Sequence, residues 1–331
     1  MKAAVYVAPH KVVVREEPDP LPAAGEAVVA VEAVGICGSD MHAYHGFDSR
    51  RPPPLILGHE AAGRIVDGPR AGERVAINPL VIDPECPSAR DGLPHLSPTR
   101  QILSIAPRSG AFAEYVRVPE RNLLPIPDRL STRQAALAEP IAVAWHGIRL
   151  GLERLRRPLA ASSVVVLGAG AVGLPSALLA RHFGAADVRI GDMNPLRRAN
   201  AERTSGIKTY APDASDRPAD NSVDLVVDAV GAAQTRVDAC RMIRPGGVIV
   251  HIGLLPGSDG LDIRKITLQE ITFTGSYCYT PEDFAQTLAA MASGALGPLD
   301  WFEERPLAEA QQAFEDIDRG AVAAPKILLR P

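Results

Sequence analysis

Cysteine is scarce in this chain of 331 residues, and its four cysteines lie far apart, at positions 37, 86, 240 and 278. A disulfide framework needs several cysteines close together, as in small secreted domains. The spacing therefore predicts free thiols and a reducing, cytoplasmic environment. The segment from Met1 to Tyr6 lacks the long apolar run and small-residue cleavage site of a signal peptide, and we expect it to form a first strand.

The sequence also lacks a surplus of positive charge and an uninterrupted apolar run. The formal net charge is -4, which leaves no basic surface with which to bind nucleic acid. The uncharged segment from Leu159 to Ala180 is just long enough to cross a bilayer, but Gly168, Gly170 and Gly173 interrupt it. A strand, a turn and a helix explain this segment better, so we expect neither a nucleic-acid nor a membrane partner.

The chain is long enough for two hydrophobic cores, and its pattern changes near residue 140. Short alternating apolar runs broken by proline and glycine fill residues 1–140 and predict a β-rich domain. Residues 133–154 are predicted to be helical. Beyond them strands alternate with helices, which predicts a parallel sheet covered on both faces. The predicted strands are Ser163–Leu167, Val188–Asp192, Val223–Asp228 and Gly247–Ile252, followed by a helix at 281–294 and a strand at 326–329.

A glycine fingerprint links the first of these strands to the helix after it. The segment reads Gly168-Ala169-Gly170-Ala171-Val172-Gly173. Its first glycine permits the turn, its second lets the backbone approach a pyrophosphate, and its third allows the helix to pack closely on the strand. A turn that serves packing alone is the alternative. The context favours a dinucleotide site.

The acidic residue after the next strand indicates which dinucleotide binds. Asp192 follows Gly173 by 19 residues and is placed to accept a hydrogen bond from a ribose 2′-hydroxyl. Its carboxylate would repel a 2′-phosphate, which favours NAD over NADP. Arg197 and Arg198 lie just beyond it and could hold such a phosphate, so NADP is not excluded.

Potential metal ligands are concentrated in two short segments. Cys37 lies within Gly35–His42, and His59 and Glu60 follow Gly58. Thiolate sulfur, imidazole nitrogen and carboxylate oxygen together suit Zn²⁺, and a position left for substrate makes such a site catalytic. A buried apolar cysteine and a structural histidine are the plainer interpretation of either residue alone.

Polar neighbours supply what a catalytic metal needs around it. Ser39 could donate a hydrogen bond from its hydroxyl to a substrate alkoxide, and His42 could carry the substrate's proton toward solvent. Asp40 could orient a ligand histidine, because a metal-bound imidazole usually donates its other N–H to a carboxylate or a carbonyl.

Together these motifs resemble the zinc-dependent medium-chain alcohol dehydrogenase family, and more narrowly its polyol (sorbitol, idonate and threonine) dehydrogenase branch. The resemblance spans nearly the whole chain. It implies an α/β fold with a β-rich GroES-like catalytic domain at 1–140, a Rossmann NAD-binding domain with a doubly wound parallel sheet at 141–281, and a C-terminal segment at 282–331 that returns to the catalytic domain. It also implies a homodimer or homotetramer.

The resemblance assigns roles around the metal. It implies that Cys37 and His59 bind catalytic zinc, that Glu60 ligates the metal or stands just behind it, and that Ser39 and His42 form the proton relay. The polyol branch has a further ligand, a glutamate before proline, which Glu139-Pro140 matches. By the residues alone, Glu139 is equally well a favourable charge in the first turn of a helix.

The resemblance also assigns cofactor contacts and exposes one departure. Arg197 matches a contact to the cofactor ribose, while Val230, Leu254 and Ser276 match the lining of the nicotinamide pocket. Of the four cysteines that hold a second, structural zinc in many family members, only Cys86 is present, with His95 nearby. A closed site needs four donors, so we expect one catalytic zinc and no structural zinc.

The predicted reaction is hydride transfer between NAD and a secondary alcohol, polyol or sugar acid. Arg50 and Arg51 either bind a substrate carboxylate or form a solvated loop pair. Two alternatives stay open. One is a zinc-free NADPH quinone or enoyl reductase of the same superfamily, and the other is a non-catalytic nucleotide-binding or structural protein.

Overall fold

A computed structural model describes the whole chain, residues 1–331. Its strands are β1 Lys2–Ala8, β2 Lys11–Glu16, β3 Glu26–Gly35, β4 Leu55–Ile56, β5 Glu60–Ile65, β6 Arg74–Ile77, β7 Leu80–Val81, β8 Gln101–Ile102, β9 Tyr115–Pro119, β10 Leu123–Pro125, β11 Ser163–Leu167, β12 Asp187–Gly191, β13 Lys208–Tyr210, β14 Val223–Asp228, β15 Ile243–His251, β16 Thr272–Gly275, β17 Phe302–Pro306 and β18 Lys326–Arg330. Its α-helices are α1 Gly38–Tyr44, α2 Pro87–Arg90, α3 Thr132–Ala135, α4 Ala138–Leu152, α5 Gly173–His182, α6 Pro195–Ser205, α7 Ala233–Met242, α8 Ile263–Leu268, α9 Pro281–Ser293 and α10 Ala310–Asp318.

The β-rich part is built around the long strand β3. This strand pairs antiparallel with β5, β9 and β18 within a seven-stranded sheet. Buried positions alternate with less buried ones along most of β3, the pattern of a strand with one face on the core. An apolar cluster of 33 buried residues fills this part of the molecule. The strand ends two residues before Cys37, so its register positions the first predicted ligand.

The end of the chain returns to this same sheet. Strand β18 pairs antiparallel with β3, with Leu328 opposite Gly35, and parallel with β17. The last strand therefore lies beside the segment that carries Cys37. The three segment bounds given above, 1–140, 141–281 and 282–331, stay a prediction.

The second half contains a six-stranded, wholly parallel sheet in the order β13-β12-β11-β14-β15-β16. Every residue of the central strand β14 is buried, as expected for a sheet covered on both faces. The strand order reverses between β11 and β14. In open α/β sheets, ligands bind at the carboxyl ends of the strands beside such a switch point. The predicted α/β fold, a Rossmann sheet plus a β-rich domain, is confirmed.

The predicted helix over 133–154 is interrupted. Helix α3 is a single turn capped by Ser131, whose hydroxyl accepts a hydrogen bond from the Gln134 N–H at 3.2 Å. Helix α4 then begins at Ala138 after a break of two residues, which places Glu139 in its first turn. None of the helices is both long enough and apolar enough to cross a membrane.

Candidate active site

Cys37 occupies the N-cap position of α1, immediately after β3. Its backbone is extended (φ −95°, ψ 158°). Asp40, in the first turn of α1, is completely buried and accepts a hydrogen bond from the Cys37 N–H at 2.9 Å. This bond fixes the turn that carries the thiol away from the strand.

His59 lies at the start of β5, and a strained glycine precedes it. Gly58 has φ of +89°, and a Cβ there would lie 2.5 Å from the ring of Phe112, so the position requires glycine. Asp40 accepts a hydrogen bond from the Gly58 N–H at 3.3 Å and lies 3.5 Å from Nδ1 of His59. One buried carboxylate thus joins both ligand segments and leaves Nε2 of His59 for a metal.

Charges around His59 reinforce this arrangement. Burial lowers the pKa of His59, but Asp40 and Cys37 outweigh burial and raise it well above its usual value. Burial likewise raises the pKa of Asp40, and His59 with Arg51 and the Cys37 N–H brings it below its usual value. The surroundings of the imidazole are therefore strongly negative, which suits a divalent cation.

The structure brings three predicted ligands together. The potential ligand atoms of Cys37, His59 and Glu60 all lie within 4.8 Å of one another. His59 and Glu60 are buried, while Cys37 is partly accessible. The Lys326 ammonium donates a hydrogen bond to Oε1 of Glu60 at 2.7 Å. Glu60 is thus held between the cluster and a buried cation.

Glu139 lies beside this cluster, although its carboxylate is outside the group of three. The side chain is buried in the first turn of α4, and its Oε1 accepts a hydrogen bond from the Tyr279 hydroxyl at 3.1 Å. Burial raises the pKa of Glu139 to about 7, while His59 lowers it and Glu60 raises it. A carboxylate in such a place is stabilised by a nearby metal ion.

The predicted relay residues lie on one helix. Ser39 and His42 are three positions apart on α1, so their side chains project from the same face. The Ser39 hydroxyl is 3.4 Å from Nε2 of His59, next to the cluster. Burial lowers the pKa of His42, while Asp48 opposes this shift. A neutral imidazole at ordinary pH is able to accept a proton.

The predicted cofactor residues line the carboxyl edge of the parallel sheet. Each follows a different strand: Gly168 follows β11, Asp192 follows β12, Val230 follows β14, Leu254 follows β15 and Ser276 follows β16. Five distant parts of the sequence thus lie along one edge of the sheet, which contains the switch point where a dinucleotide binds in this kind of sheet. Leu254 is largely exposed, whereas the Ser276 hydroxyl is buried without a hydrogen-bond partner.

The glycine turn has the predicted form. Gly168 has φ of +100°, and Gly173 is the first residue of α5. A Cβ at Gly173 would lie 1.8 Å from the Gly168 carbonyl oxygen, so the helix packs as closely as the fingerprint requires. Gly170, Ala171 and Val172 connect the two, which places their backbone at the amino end of α5, where phosphate is favoured.

Asp192 is anchored by the turns around it. Its carboxylate accepts hydrogen bonds from the N–H groups of Ala169 and Asn194, both at 2.7 Å. The guanidinium of Arg198 donates hydrogen bonds to the backbone carbonyls of Asp192 and Met193. These bonds occupy part of its hydrogen-bonding capacity. Nε of Arg197 is buried without a partner.

Several residues near the cluster have no motif that reveals them. Lys326, Tyr279, Ser104 and Cys278 come from distant parts of the chain. Ser104 places its hydroxyl 3.4 Å from Nδ1 of His59. Burial raises the pKa of the Cys278 thiol to about 12, and Glu139 adds to the shift. The one signal in the sequence was Lys326, a lysine directly before the apolar residues 327–329 of β18.

Two family models match the chain. The alcohol dehydrogenase GroES-like domain matches residues 23–128, and the zinc-binding dehydrogenase model matches residues 171–293. Together they cover more than half of the sequence. The chain belongs to the zinc-dependent medium-chain alcohol dehydrogenase family. The resemblance found in the sequence is confirmed, and with it a zinc- and nicotinamide-dependent dehydrogenase that acts on alcohols.

Individual relatives agree with this assignment. L-galactonate-5-dehydrogenase of Escherichia coli (strain K12) is 31% identical over 310 residues, 89% of this chain and 88% of that protein. Sorbitol dehydrogenase of Bacillus subtilis (strain 168) is 32% identical over 311 residues, 89% of this chain and 86% of that protein. A solved structure of a protein described as a zinc-binding dehydrogenase from Sinorhizobium meliloti 1021, bound to NADP, is 30% identical, with a TM-score of 0.88 over 100% of this chain and 99% of that chain.

The residues of the dehydrogenase fit a catalytic zinc. Sulfur, nitrogen and oxygen donors converge from Cys37, His59 and Glu60, and the buried carboxylate of Glu139 lies beside them. One ligand histidine already has a carboxylate on its other ring nitrogen. Soft and borderline donors of this kind suit zinc better than magnesium or calcium.

Arg51 corrects one interpretation of the sequence. The side chain is 4% exposed, and it donates to Asp48 at 2.7 Å and to the Ser104 carbonyl at 3.0 Å. The interpretation of Arg50 and Arg51 as a solvated pair is therefore wrong for Arg51, whose stem is buried because its guanidinium closes the loop around Asp48.

The lobe between β7 and β8, residues 82–100, carries Cys86 but has no cluster of metal-binding side chains. Cys86 is a free, buried thiol at the N-cap of α2. His95 is also buried, and its ring centre lies 4.7 Å from that of His146, which in turn contacts Asp283 at 2.7 Å. These contacts tie the lobe to α4 and α9. The expectation of no structural zinc stays a prediction.

His95 makes the stability of the dehydrogenase dependent on pH. Burial, followed by His146, lowers its pKa from 6.5 to about 4; Asp283 opposes this shift, and Arg149 and Arg100 add to it. Between these two values the unfolded chain binds a proton that folded His95 does not. The free energy of unfolding should therefore decrease as the pH falls from about 6.5 to about 4.

The variant His95→Phe should show a smaller loss of stability between pH 7 and pH 5 than the wild type, by urea unfolding at both values. His182→Phe, which changes an exposed histidine, is the matched control and should keep the wild-type dependence. An unchanged pH dependence in His95→Phe would show that His95 titrates normally.

Proposed function

We propose that this dehydrogenase oxidises a secondary hydroxyl of a polyol or sugar acid with NAD as hydride acceptor. In this proposal zinc is held by Cys37 and His59 together with the carboxylates of Glu60 and Glu139. The convergence of the Cys37, His59 and Glu60 donor atoms within 4.8 Å carries the proposal. The names of the relatives, an L-galactonate dehydrogenase and a sorbitol dehydrogenase, support the substrate class.

The chain's own residues prepare the reaction around the two cofactors. Zinc supplies Lewis acidity at the substrate hydroxyl, and NAD accepts the hydride. Ser39, beside His59, would accept the hydroxyl proton while releasing its own, and His42, one helical turn further along α1, would pass that proton toward solvent. Asp40 keeps His59 oriented throughout.

The nicotinamide cofactor is proposed to be NAD, because Asp192 follows β12 at the ribose position. Replacing it by serine, which keeps one oxygen as a hydrogen-bond acceptor for the turn, should lower kcat/KM with NAD⁺ about 10- to 100-fold. The same change should raise kcat/KM with NADP⁺, since the carboxylate no longer repels a 2′-phosphate. Initial rates with both cofactors test this.

Asp187→Ser, at the exposed opposite end of β12, is the matched control and should leave the cofactor preference unchanged. If wild-type enzyme prefers NADP⁺, or if the preference is the same in Asp192→Ser, then Asp192 does not select the cofactor.

We also propose a homodimer or homotetramer. Strand β16 lies at one end of the parallel sheet, with one edge unpaired. The residues that precede it along the chain include the exposed apolar side chains Ile263 and Leu268. Such side chains favour association between subunits.

The four free cysteines support a cytoplasmic location.

A substrate panel tests the proposed function. Purified enzyme is assayed for reduction of NAD⁺ and NADP⁺ with polyols, sugar acids and simple secondary alcohols. The proposal expects oxidation of at least one polyol or sugar acid with NAD⁺. Reduction of quinones or enoyl compounds with NADPH, and no oxidation of any alcohol, would favour the zinc-free reductase instead. No turnover of any substrate would favour a binding protein.

A further inference from the structure

Two arginines from separate loops meet at one tyrosine near the metal cluster. The guanidinium carbon of Arg100 lies 4.9 Å from the centre of the Tyr277 ring. Arg50 lies on the loop that follows α1, and its pKa is raised by Asp48 first and then by this same tyrosine. Arg100 comes from the lobe before β8, so the two positive charges converge although they are 50 positions apart in the sequence.

The positive charges of these arginines are not fully neutralised by acidic side chains of the protein. Asp48 is the shared partner of Arg50, at 2.9 Å, and of Arg51, at 2.7 Å. Arg100 donates only to the Ser97 carbonyl, at 2.7 Å, and its buried Nε has no hydrogen-bond partner. Arg50 and Arg51 therefore share one carboxylate, whereas Arg100 has no carboxylate partner.

The two arginines lie near the catalytic cluster, because Tyr279, two residues after Tyr277, donates a hydrogen bond to Glu139 at 3.1 Å. Cys278, next to Tyr277, is close enough to Glu139, Arg100 and Cys37 for all three to influence its pKa. Arg50 in turn influences the pKa of the relay residue His42. Both arginines therefore belong to the surroundings of the cluster.

We propose that Arg50 and Arg100, brought together at Tyr277, bind the anionic end of the substrate, so that the enzyme prefers a sugar acid or a phosphorylated polyol to a neutral polyol. This inference rests on the proposed function and narrows its substrate class. Guanidinium groups match the planar oxygens of carboxylates and the oxygens of phosphates, with charge-assisted hydrogen bonds. A neutral polyol offers only uncharged hydroxyl oxygens, whose hydrogen bonds with a guanidinium are weaker than those of an anion.

The test compares galactonate, galactitol 1-phosphate and sorbitol as substrates of the zinc-loaded enzyme. We expect kcat/KM for at least one anionic compound to exceed that for sorbitol, and the comparison of the first two shows whether carboxylate or phosphate is recognised. Arg100→Gln should lower kcat/KM for the preferred anion about 10- to 100-fold, mainly through KM, and change that for sorbitol less than about threefold. Arg100→Lys should retain part of the preference.

Arg90→Gln is the matched control, because Arg90 is an exposed arginine of the same lobe and should behave as wild type. Equal use of sorbitol and both anions by the wild type, or an equal loss for all three in Arg100→Gln, would overturn the inference.

Calorimetric binding of the same compounds to the enzyme saturated with NADH separates this inference from the proposed function. Tight anion binding that Arg100→Gln weakens, without turnover of any compound, would retain the anion site and reject the dehydrogenase reaction proposed for it. Equal binding of anionic and neutral compounds would reject the anion site even in an active dehydrogenase.

Discussion

Cys37→Ser is expected to remove the zinc and to lower kcat by about a thousandfold or more. The reason is that a Lewis acid contributes several kcal/mol to such a reaction, and each 1.4 kcal/mol changes the rate about tenfold. Serine is nearly the same size as cysteine but is a poor zinc ligand at neutral pH. The measurement is zinc content per chain together with the rate of NAD⁺ reduction at saturating alcohol.

Cys86→Ser is the matched control for this change. Cys86 is also a free cysteine, but it lies outside the donor cluster. Its substitution should leave one zinc per chain and the wild-type rate. If Cys86→Ser loses zinc, the lobe holds a metal after all. If Cys37→Ser remains active without zinc, the enzyme is a zinc-free reductase.

Lys326→Met is expected to lower the free energy of unfolding by about 3–5 kcal/mol. Lys326 is 2% exposed and donates to Glu60 and, at 2.9 Å, to the Ile36 carbonyl. Its removal leaves a buried carboxylate without its cation. The loss is measured by urea unfolding of chelator-treated protein, because zinc itself would stabilise the freed carboxylate.

Two further variants separate the ion pair from general damage. Lys208→Met changes an exposed lysine and should cost little. The double variant Glu60→Gln/Lys326→Met should be more stable than Lys326→Met, since the buried negative charge is gone as well. A loss below about 1 kcal/mol in Lys326→Met, or no recovery in the double variant, would show that the pair is not a buried ion pair of this kind.

The sequence allowed the fold to be predicted because its signals are local. The glycine fingerprint after a β-branched strand, with Asp192 one strand later, is sufficient to predict the parallel sheet and its binding edge. Cys37 and His59 are recognisable because short motifs surround them. Even so, the break between α3 and α4 was not foreseen, since its residues continue the helical pattern.

The remaining site residues depend on tertiary pairing, which the sequence does not display. Lys326 reaches Glu60 only because β18 pairs with β3 across almost the whole length of the chain. Tyr279 and Arg100 reach the site from loops whose neighbours in sequence are unremarkable. Arg51 was open to misinterpretation because its burial depends on a contact with the Ser104 carbonyl, 53 positions away, as well as on Asp48 in its own loop.

The central claim is that hydride transfer depends on a zinc ion held at Cys37, His59, Glu60 and Glu139. The most direct measurement follows zinc content and alcohol-dependent NAD⁺ reduction in one preparation, before chelation, after chelation and after zinc is restored. Our account predicts one zinc per chain, loss of activity as zinc is removed, and recovery when it is returned to a chain that has stayed folded. Activity that is unchanged after complete removal of zinc would contradict it.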